Sequence, residues 1–384
     1  MQVSKVLTLA HKEVLEIWRD KLYLVMAFVF PFMLMNVLGF GLSFDVEHMP
    51  FAVVDYDQSQ LSREYSHKLM DSRYFDYQGH LAQEQDADAL LKQGKIRFLL
   101  VIPPEFSKRL LQGQATAVQA QIDGMFTYRA NVVKGYIAAI NGSFNQQLLQ
   151  TWLAKKQGIS AQQLQALLSP VTLKTRYLYN NELKSIWSTG SGMLMLIMLM
   201  APAMLTALGV VREKELGSIY NIYASTLSKS EYITGKLLPY VAISFINLLI
   251  LTWAVLVFFD TPFKGSLSLY LVSGLLYVTS AAGIGLLIST FVSSQAAAAL
   301  IAMLGTMIPG MMYSGLLMPI SSMSGDAQIQ AHLFPGMYEL QLVWGTFLKG
   351  QGWPELWSNV LVLAAYALGL WLLAVWRFKK RVAS

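Results

Sequence analysis

Apolar side chains gather into six long runs, Leu22–Leu42, Ser188–Val211, Leu237–Phe259, Ser268–Phe291, Ala297–Met318 and Leu356–Trp376, with no charged residue or histidine inside any of them. Each reaches or passes the ~20 residues that a helix needs to cross a hydrocarbon core about 30 Å thick. The pattern predicts an α-helical polytopic membrane protein with six transmembrane helices. Between the first and second runs, charges return and short strand-like and helix-like stretches alternate, which predicts an inserted α/β domain over residues 43–187.

Within that insert, Phe51–Asp55 reads as a strand, and Asp57-Gln58-Ser59 as the capping cluster of a helix through Leu61, Tyr65 and Leu69. Arg97–Ile102 is a second strand, stopped by Pro103-Pro104 and followed by a helix over Glu105–Leu111. Val118–Ile122 alternates and ends at the turn pair Asp123-Gly124. Val132, Tyr136, Ile140, Phe144, Leu148 and Trp152 then recur every four residues, marking a long amphipathic helix, and the β-capable Val171–Tyr179 leads back to the second run. Ahead of the first run, Val3–Lys21 carries apolar residues at helical spacing among charged ones. Such a helix either lies in the membrane interface or stands solvated before the first span.

Charge orients the chain. Lys5, Lys12, Arg19, Lys21, Arg212, Lys214, Lys229, Lys236, Arg377, Lys379, Lys380 and Arg381 fall on one side of the spans, against Lys264 and Lys349 in the opposite short loops. The positive-inside rule therefore predicts cytoplasmic termini and an extracytoplasmic insert, in the inner membrane. The net charge of +6 is then a topology signal, and no nucleic-acid partner is needed to explain it. The absence of cysteine removes disulfides and thiolate chemistry. Asp55, Asp57, His67, His80, Asp86, Asp88 and Asp123 in the insert follow no metal or nucleophile spacing, and the two aspartates fit strand-end and helix-start roles, so no catalytic, cofactor or metal site is assigned. Ion-coupled carriers keep an ionisable residue at membrane depth. Uncharged spans argue against that drive.

The cytoplasmic stretch after the second span concentrates the candidate mechanism. Glu213 and Glu215 end the span, Gly217 suits a left-handed helix terminus, Ser218 can cap a new short helix, and Ile219, Ile222 and Tyr223 share one face of it. Acidic residues at a helix C-terminus oppose its dipole by about 0.3–1 kcal/mol when exposed, which suggests that the pair has a use. The reading is that they anchor the span against the N-terminal helix or a cytosolic protein.

Here the chain resembles the permease subunits of ABC-2 type exporters, in the bacterial subgroup with a large extracytoplasmic insert after the first helix. The family's E-x-E-x-G-S/T element matches Glu213, Glu215, Gly217 and Ser218. Its T-P-L-S-like turn matches Leu227 and Ser228, with Thr226 at the proline position, and its G-K matches Gly235 and Lys236. In the outer loop, P-x-x-Y followed by R-G-x-F-L-K-G matches Pro335, Tyr338, Gly345, Phe347 and Gly350, with Trp344 at the arginine position. The opening of the insert, Pro50–Ser62, is also similar to that subgroup.

The resemblance implies a permease that is not itself an enzyme. It would pair with a second copy or a sister permease and bind a cytosolic ABC ATPase, with a periplasmic adaptor as a further candidate partner and the lipid bilayer as its solvent. ATP and Mg²⁺ would belong to the ATPase, since no G-x-x-x-x-G-K-S/T loop occurs here. The expected organisation is an interfacial helix (1–21), a first span (22–42), the α/β domain (43–187), a transmembrane domain (188–376) with a coupling segment at 212–230 and an outer loop at 319–355, and a basic tail (377–384). The implied function is ATP-driven export of an amphipathic or hydrophobic substrate. The alternative is a non-transporting scaffold that recruits envelope proteins through its external domain.

Methionine is abundant, 19 in all, and clusters in the second and fifth spans. Met193, Met198, Met204, Met307 and Met311 are candidates to line a pathway, because flexible thioethers repack around varied apolar ligands. They serve equally as gap fillers between helices. Pro31, Pro202 and Pro309 predict bends, and Gly274, Ser280, Gly283 and Gly285 a close-packing face on the fourth span.

Overall fold

The computed structural model describes residues 2–41, 48–112, 114–123, 127–157, 179–180 and 184–378. The Val171–Leu178 stretch, the side chain of Trp152 and the tail beyond 378 lie outside the described residues. The chain divides into a membrane unit, Met1–Ser43 with Tyr177–Ser384, and a second unit, Phe44–Arg176.

In the membrane unit, helix α1 (Val3–Arg19) precedes the first span α2 (Lys21–Gly41), whose Val25–Val29 turn is a π-helix. The wider turn displaces the Ala27 carbonyl, which Asn247 Nδ2 satisfies at 3.1 Å. In the second unit, strand β1 (Met49–Asp55) is the centre of a four-stranded sheet. It pairs in parallel with β2 (Phe75–His80) and β3 (Phe98–Ile102), and β3 pairs antiparallel with β4 (Gln119–Ile122). Phe51, Val53, Phe98 and Leu100 face helices α3 (Gln60–Met70), α5 (Phe106–Leu111) and α6 (Thr127–Gln157) on one side. Ala52, Val54, Leu99 and Val101 face α4 (Glu84–Lys92) on the other. Both faces being covered explains the continuous apolar runs of β1 and β3. Asp55 accepts from the Asp57 and Gln58 amides and from Ser62 Oγ, Ser59 caps α3, and Asp57 accepts from Ser107 N. These aspartates are therefore structural. The polar strand β2 and helix α4 add to the predicted elements: β2 buries only Phe75, and α4 packs Ala87, Leu90 and Leu91 on the sheet.

The remaining membrane helices are α7 (Ser185–Glu215), α8 (Ile219–Ala224), α9 (Lys229–Phe258), α10 (Leu267–Phe291), α11 (Gln295–Tyr313), α12 (Gly325–His332), α13 (Pro335–Trp344) and α14 (Trp353–Arg377). Among the described residues, six helices are long and apolar enough to cross a membrane: α2, α7, α9, α10, α11 and α14. The helix α7 is the axis of the bundle. Its apolar window is 94% buried, against 22–56% for the other five, because α2, α9, α10, α11 and α13 all pack on it. The small-residue face of α10 makes one of these contacts: a Cβ on Gly285 would stand 2.0 Å from the Ala203 carbonyl oxygen of α7.

Three boundaries differ clearly from the apolar runs. The second and third spans extend past them as helix, which brings Glu213 and Lys236 into the folded body. The fifth ends at Tyr313, five residues early, because a turn follows. The stretch read as an outer loop is an inserted hairpin. Its α13 lies beside the first turns of α7's apolar length, with Gly336 against Met195, Leu340 beside Gly192, and Trp344 Nε1 donating to Ser188 O at 2.9 Å. The six runs hold no charged residue, but the bundle is not free of ionisable groups: α13, packed on α7, α10 and α14, carries the fully buried Glu339.

Candidate functional site

The sequence Arg212-Glu213-Lys214-Glu215 ends α7, and each of its four charges engages a different neighbour. Arg212 pairs with Asp20 at the junction of α1 and α2. Glu213 is buried between α1 and α9. Lys214 Nζ donates to Ser289 O and Val292 O at the C-terminus of α10, and Glu215 accepts from the Gln295 amide at the N-terminus of α11, 2.7 Å away. A cation at one helix C-terminus and an anion at another's N-terminus are the favoured pairings with the dipoles. The end of the most buried helix is thus tied to every element around it.

At the centre of this junction, Lys236 Nζ lies 2.7 Å from Glu13 Oε1 and 3.1 Å from Glu213 Oε1, at ion-pair distance though not aligned as a hydrogen bond. All three residues are at most 3% exposed. Lys12 Nζ stands 3.0 Å from Glu213, 3.3 Å from Glu16 and 3.8 Å from Glu13. Two tyrosines complete the shell: Tyr232 Oη donates to Glu213 Oε2 at 2.9 Å and Tyr240 Oη to Glu13 Oε2 at 3.1 Å. The buried carboxylates of Glu13 and Glu213 are thus balanced by the buried Lys236 and by the half-exposed Lys12 at the rim, where the exposed Glu16 also meets Lys12.

Burial pushes the Glu13 carboxyl above its ordinary value against the pull of Lys236, and the neighbouring Glu213 adds to the rise. Partial burial works to lower Lys12, and the carboxylates around it, Glu213 foremost, outweigh that and hold it high. The carboxylates of Glu13, Glu16 and Glu213 converge as a divalent cation's ligands would, and they are the one such group among the described residues. Lys12 and Lys236 already supply the positive charge there. A cleft of about 580 Å³ beside the network is bordered by Glu16, Arg19, Asp20, Arg212 and Tyr240.

Local sequence makes the site. In α1, Glu13 falls on the same stripe as Val6, Leu9, Ala10 and Ile17, so packing that stripe on α9 carries the carboxylate inward. The opposite face exposes Val3, Leu7, Val14, Leu15 and Trp18. Gly209 lets Tyr240 approach, since a Cβ there would stand 1.8 Å from its hydroxyl oxygen. Ser228 and Glu231 form a capping box at the start of α9, and Glu231 also accepts from the Gln2 amide at 2.7 Å, joining the starts of α1 and α9.

The remaining predicted residues fall as follows. Gly217 adopts φ +72 and ends α7. Ser218 stands at the start of α8 but does not cap it, its Oγ donating instead to Glu213 O at 3.4 Å. Ile219 and Ile222 are buried in their own chain and Tyr223 is half-buried, while Leu216 and Tyr220 are exposed, so the free face of α8 is the one opposite the predicted anchors. Met193, Met198 and Met204 are buried at 1–2% exposure, with Met307 and Met311 partly buried against the same core. Pro335 starts α13, Tyr338 Oη donates to His332 O, and Gly345 opens a π-turn over Gly345–Lys349. Phe347 packs edge-on to Phe263 and Tyr270, and Gly350 (φ +70) ends the turn.

Sequence reasoning missed the Glu13–Lys236 pair. The signal was an acid on the apolar stripe of an amphipathic helix, opposite a lysine at the edge of a span.

Five spans packed about a buried sixth, tied at one end by charge, define a polytopic membrane protein. The comparisons make this specific. A family model described as "ABC-2 family transporter protein" matches residues 21–376, and the chain belongs to that family. It is 29% identical over 365 residues to the "Probable multidrug ABC transporter permease YbhS" of Escherichia coli (strain K12), covering 95% of this chain and 94% of the relative. It is 26% identical over 340 residues to the "Inner membrane transport permease YhhJ" of the same organism (87% and 86%), and 25% over 342 residues to "Probable multidrug ABC transporter permease YbhR" (86% and 88%). The protein is a multi-pass inner-membrane permease subunit of an ABC transporter.

Proposed function

We propose that the chain exports an amphipathic or hydrophobic substrate, driven by a cytosolic ABC ATPase that pushes on the α7–α8 junction. The family implies the ATPase and a dimeric arrangement, with a second copy or a sister permease as the other half. The charge pattern supports cytoplasmic termini and an extracytoplasmic α/β domain, which leaves a periplasmic adaptor as a partner that domain is suited to meet. ATP and Mg²⁺ bind the ATPase. The observation that carries the reading is the four-way tie at Arg212–Glu215: force applied to the exposed Leu216 and Tyr220 reaches α1, α7 and α9 together, because buried ion pairs join them. Movement of α7 then shifts the methionine layer, with Met307 and Met311 nearer the pathway and Met193, Met198 and Met204 behind it. Reversing both Glu213 and Glu215 to lysine, in vesicles holding permease and ATPase, is expected to leave ATP hydrolysis running while efflux of an amphipathic dye collapses. Unchanged efflux per ATP would overturn the proposal.

A further inference from the structure

The hairpin that includes α13 holds a carboxyl that this mechanism does not use. Glu339 is 1% exposed, and its Oε2 is sealed from water without a hydrogen-bond partner among the described residues. Its neighbours on the chain, Leu340, Leu342 and Val343, are buried and apolar. The elements packed on α13 bring it no counter-ion. From α10 come Tyr270 and Tyr277, whose hydroxyls are engaged with Thr252 (2.6 Å) and Met195 O (3.0 Å). Between Thr189 and Val211, α7 has no titratable side chain, and α11 has only Tyr313 at its end. At the start of α14, Glu355 accepts from Gly352 N, with Tyr366 further along. The α12 side brings Asp326 and His332, whose Nδ1 lies against Gln328 O, and the hairpin itself adds Tyr338 and the exposed Lys349.

A lone ionised carboxylate in such surroundings is far costlier than its protonated form. An apolar residue would pack there at lower cost, so the position calls for a role. The hairpin runs between two glycines in left-handed backbone, Gly315 (φ +94) and Gly350 (φ +70), which turn the chain at its two ends.

We propose that Glu339 is a proton-binding site that latches this hairpin closed. The proton is held while the hairpin is seated, passes to water when the hairpin swings out and the carboxyl hydrates, and is taken back from the same water before it reseats. No proton crosses the membrane. The latch does not depend on what is transported or on which side drives it.

The full chain in lipid nanodiscs tests this, and its lack of cysteine makes single thiols readable. Leu340→Cys reports opening by its maleimide labelling rate, divided by that of the exposed Leu333→Cys to remove the thiol's own pH dependence. One linked proton allows at most tenfold per pH unit, so the ratio is expected to rise by about tenfold or more from pH 6 to pH 9. It stays flat with Glu339→Gln, and Glu339→Asp restores the slope with a shifted midpoint. An infrared carboxylic-acid carbonyl band at pH 7, lost with Glu339→Gln, is the second readout. A slope that persists with Glu339→Gln, or no band assignable to Glu339 at pH 7, overturns the proposal. If the Gln variant fails to assemble, the Asp variant decides: a band and midpoint that do not shift count against the latch.

Discussion

Replacing Lys236 with methionine removes the ammonium that stands 2.7 Å from Glu13 and 3.1 Å from Glu213 and leaves their two carboxylates facing each other in a dry interior. Methionine is close to lysine in length and apolar, so packing is nearly conserved and the change is one of charge. Breaking a buried pair by removing one partner costs about 3–5 kcal/mol, or roughly two to four orders of magnitude in the folded-to-unfolded ratio. Lys12 still faces Glu213 at 3.0 Å but Glu13 only at 3.8 Å, so Glu13 bears the larger share of the penalty. Removing that charge as well, in Lys236→Met with Glu13→Gln, restores neutrality. Reversible denaturation of the purified permease in mixed micelles should show the single variant strongly destabilised and a coupling energy on the order of 2 kcal/mol in the double-mutant cycle. Losses that simply add, within about 0.5 kcal/mol, would refute the claim that Lys236 is held by Glu13.

Gly209→Ala should cost about 1–3 kcal/mol by overpacking against Tyr240, read in the same denaturation, and less in a Tyr240→Phe background. Trp344→Phe removes the donor to Ser188 O and should cost about 1 kcal/mol while speeding proteolysis of the hairpin. The Asp20 carboxylate, which accepts from the Tyr23 amide and pairs with Arg212, lies below the ordinary 3.8. Its contribution to stability is therefore whole above pH 3.8 and lost as pH falls through the lowered value, so Asp20→Asn should flatten the acid limb of a stability–pH curve. Asp55→Ala strips three hydrogen bonds from the start of α3 and should cost about 2 kcal/mol, seen as earlier protease cleavage within residues 44–176.

Much of the membrane unit was legible because hydrocarbon imposes a length and an apolar composition that few other structures need. The strands β1 and β3 show as unbroken apolar runs because both of their faces are covered, and the helices α3, α5 and α6 show by a cap, a proline stop or an apolar row at helical spacing. What stayed hidden carried none of these marks. The strand β2, Phe-Asp-Tyr-Gln-Gly-His, is a sheet edge with one buried residue, so its sequence carries little pattern. The hairpin's Pro-Gly-Met-Tyr-Glu stretch is too short for a span and too polar for a core, and it is helical because α7, α10 and α14 surround it. Glu213 and Glu215 were readable as anchors, but their partners come from Lys12, Lys236 and Gln295, up to 201 residues away, and a single sequence does not display pairings at that range.

The central claim is that α1, α7, α8 and α9 move as one block when the ATPase works. Spin labels at Leu15 and Tyr220, both exposed and introduced into a cysteine-free chain, measure it directly in the reconstituted complex with labelled copies diluted among unlabelled ones. The account predicts that the Leu15–Tyr220 separation within one copy is the same with ADP and with a trapped ATP state, while the Tyr220 separation between the two permeases, read where both are labelled, changes. A Leu15–Tyr220 separation that shifts with nucleotide while dye efflux proceeds would contradict it.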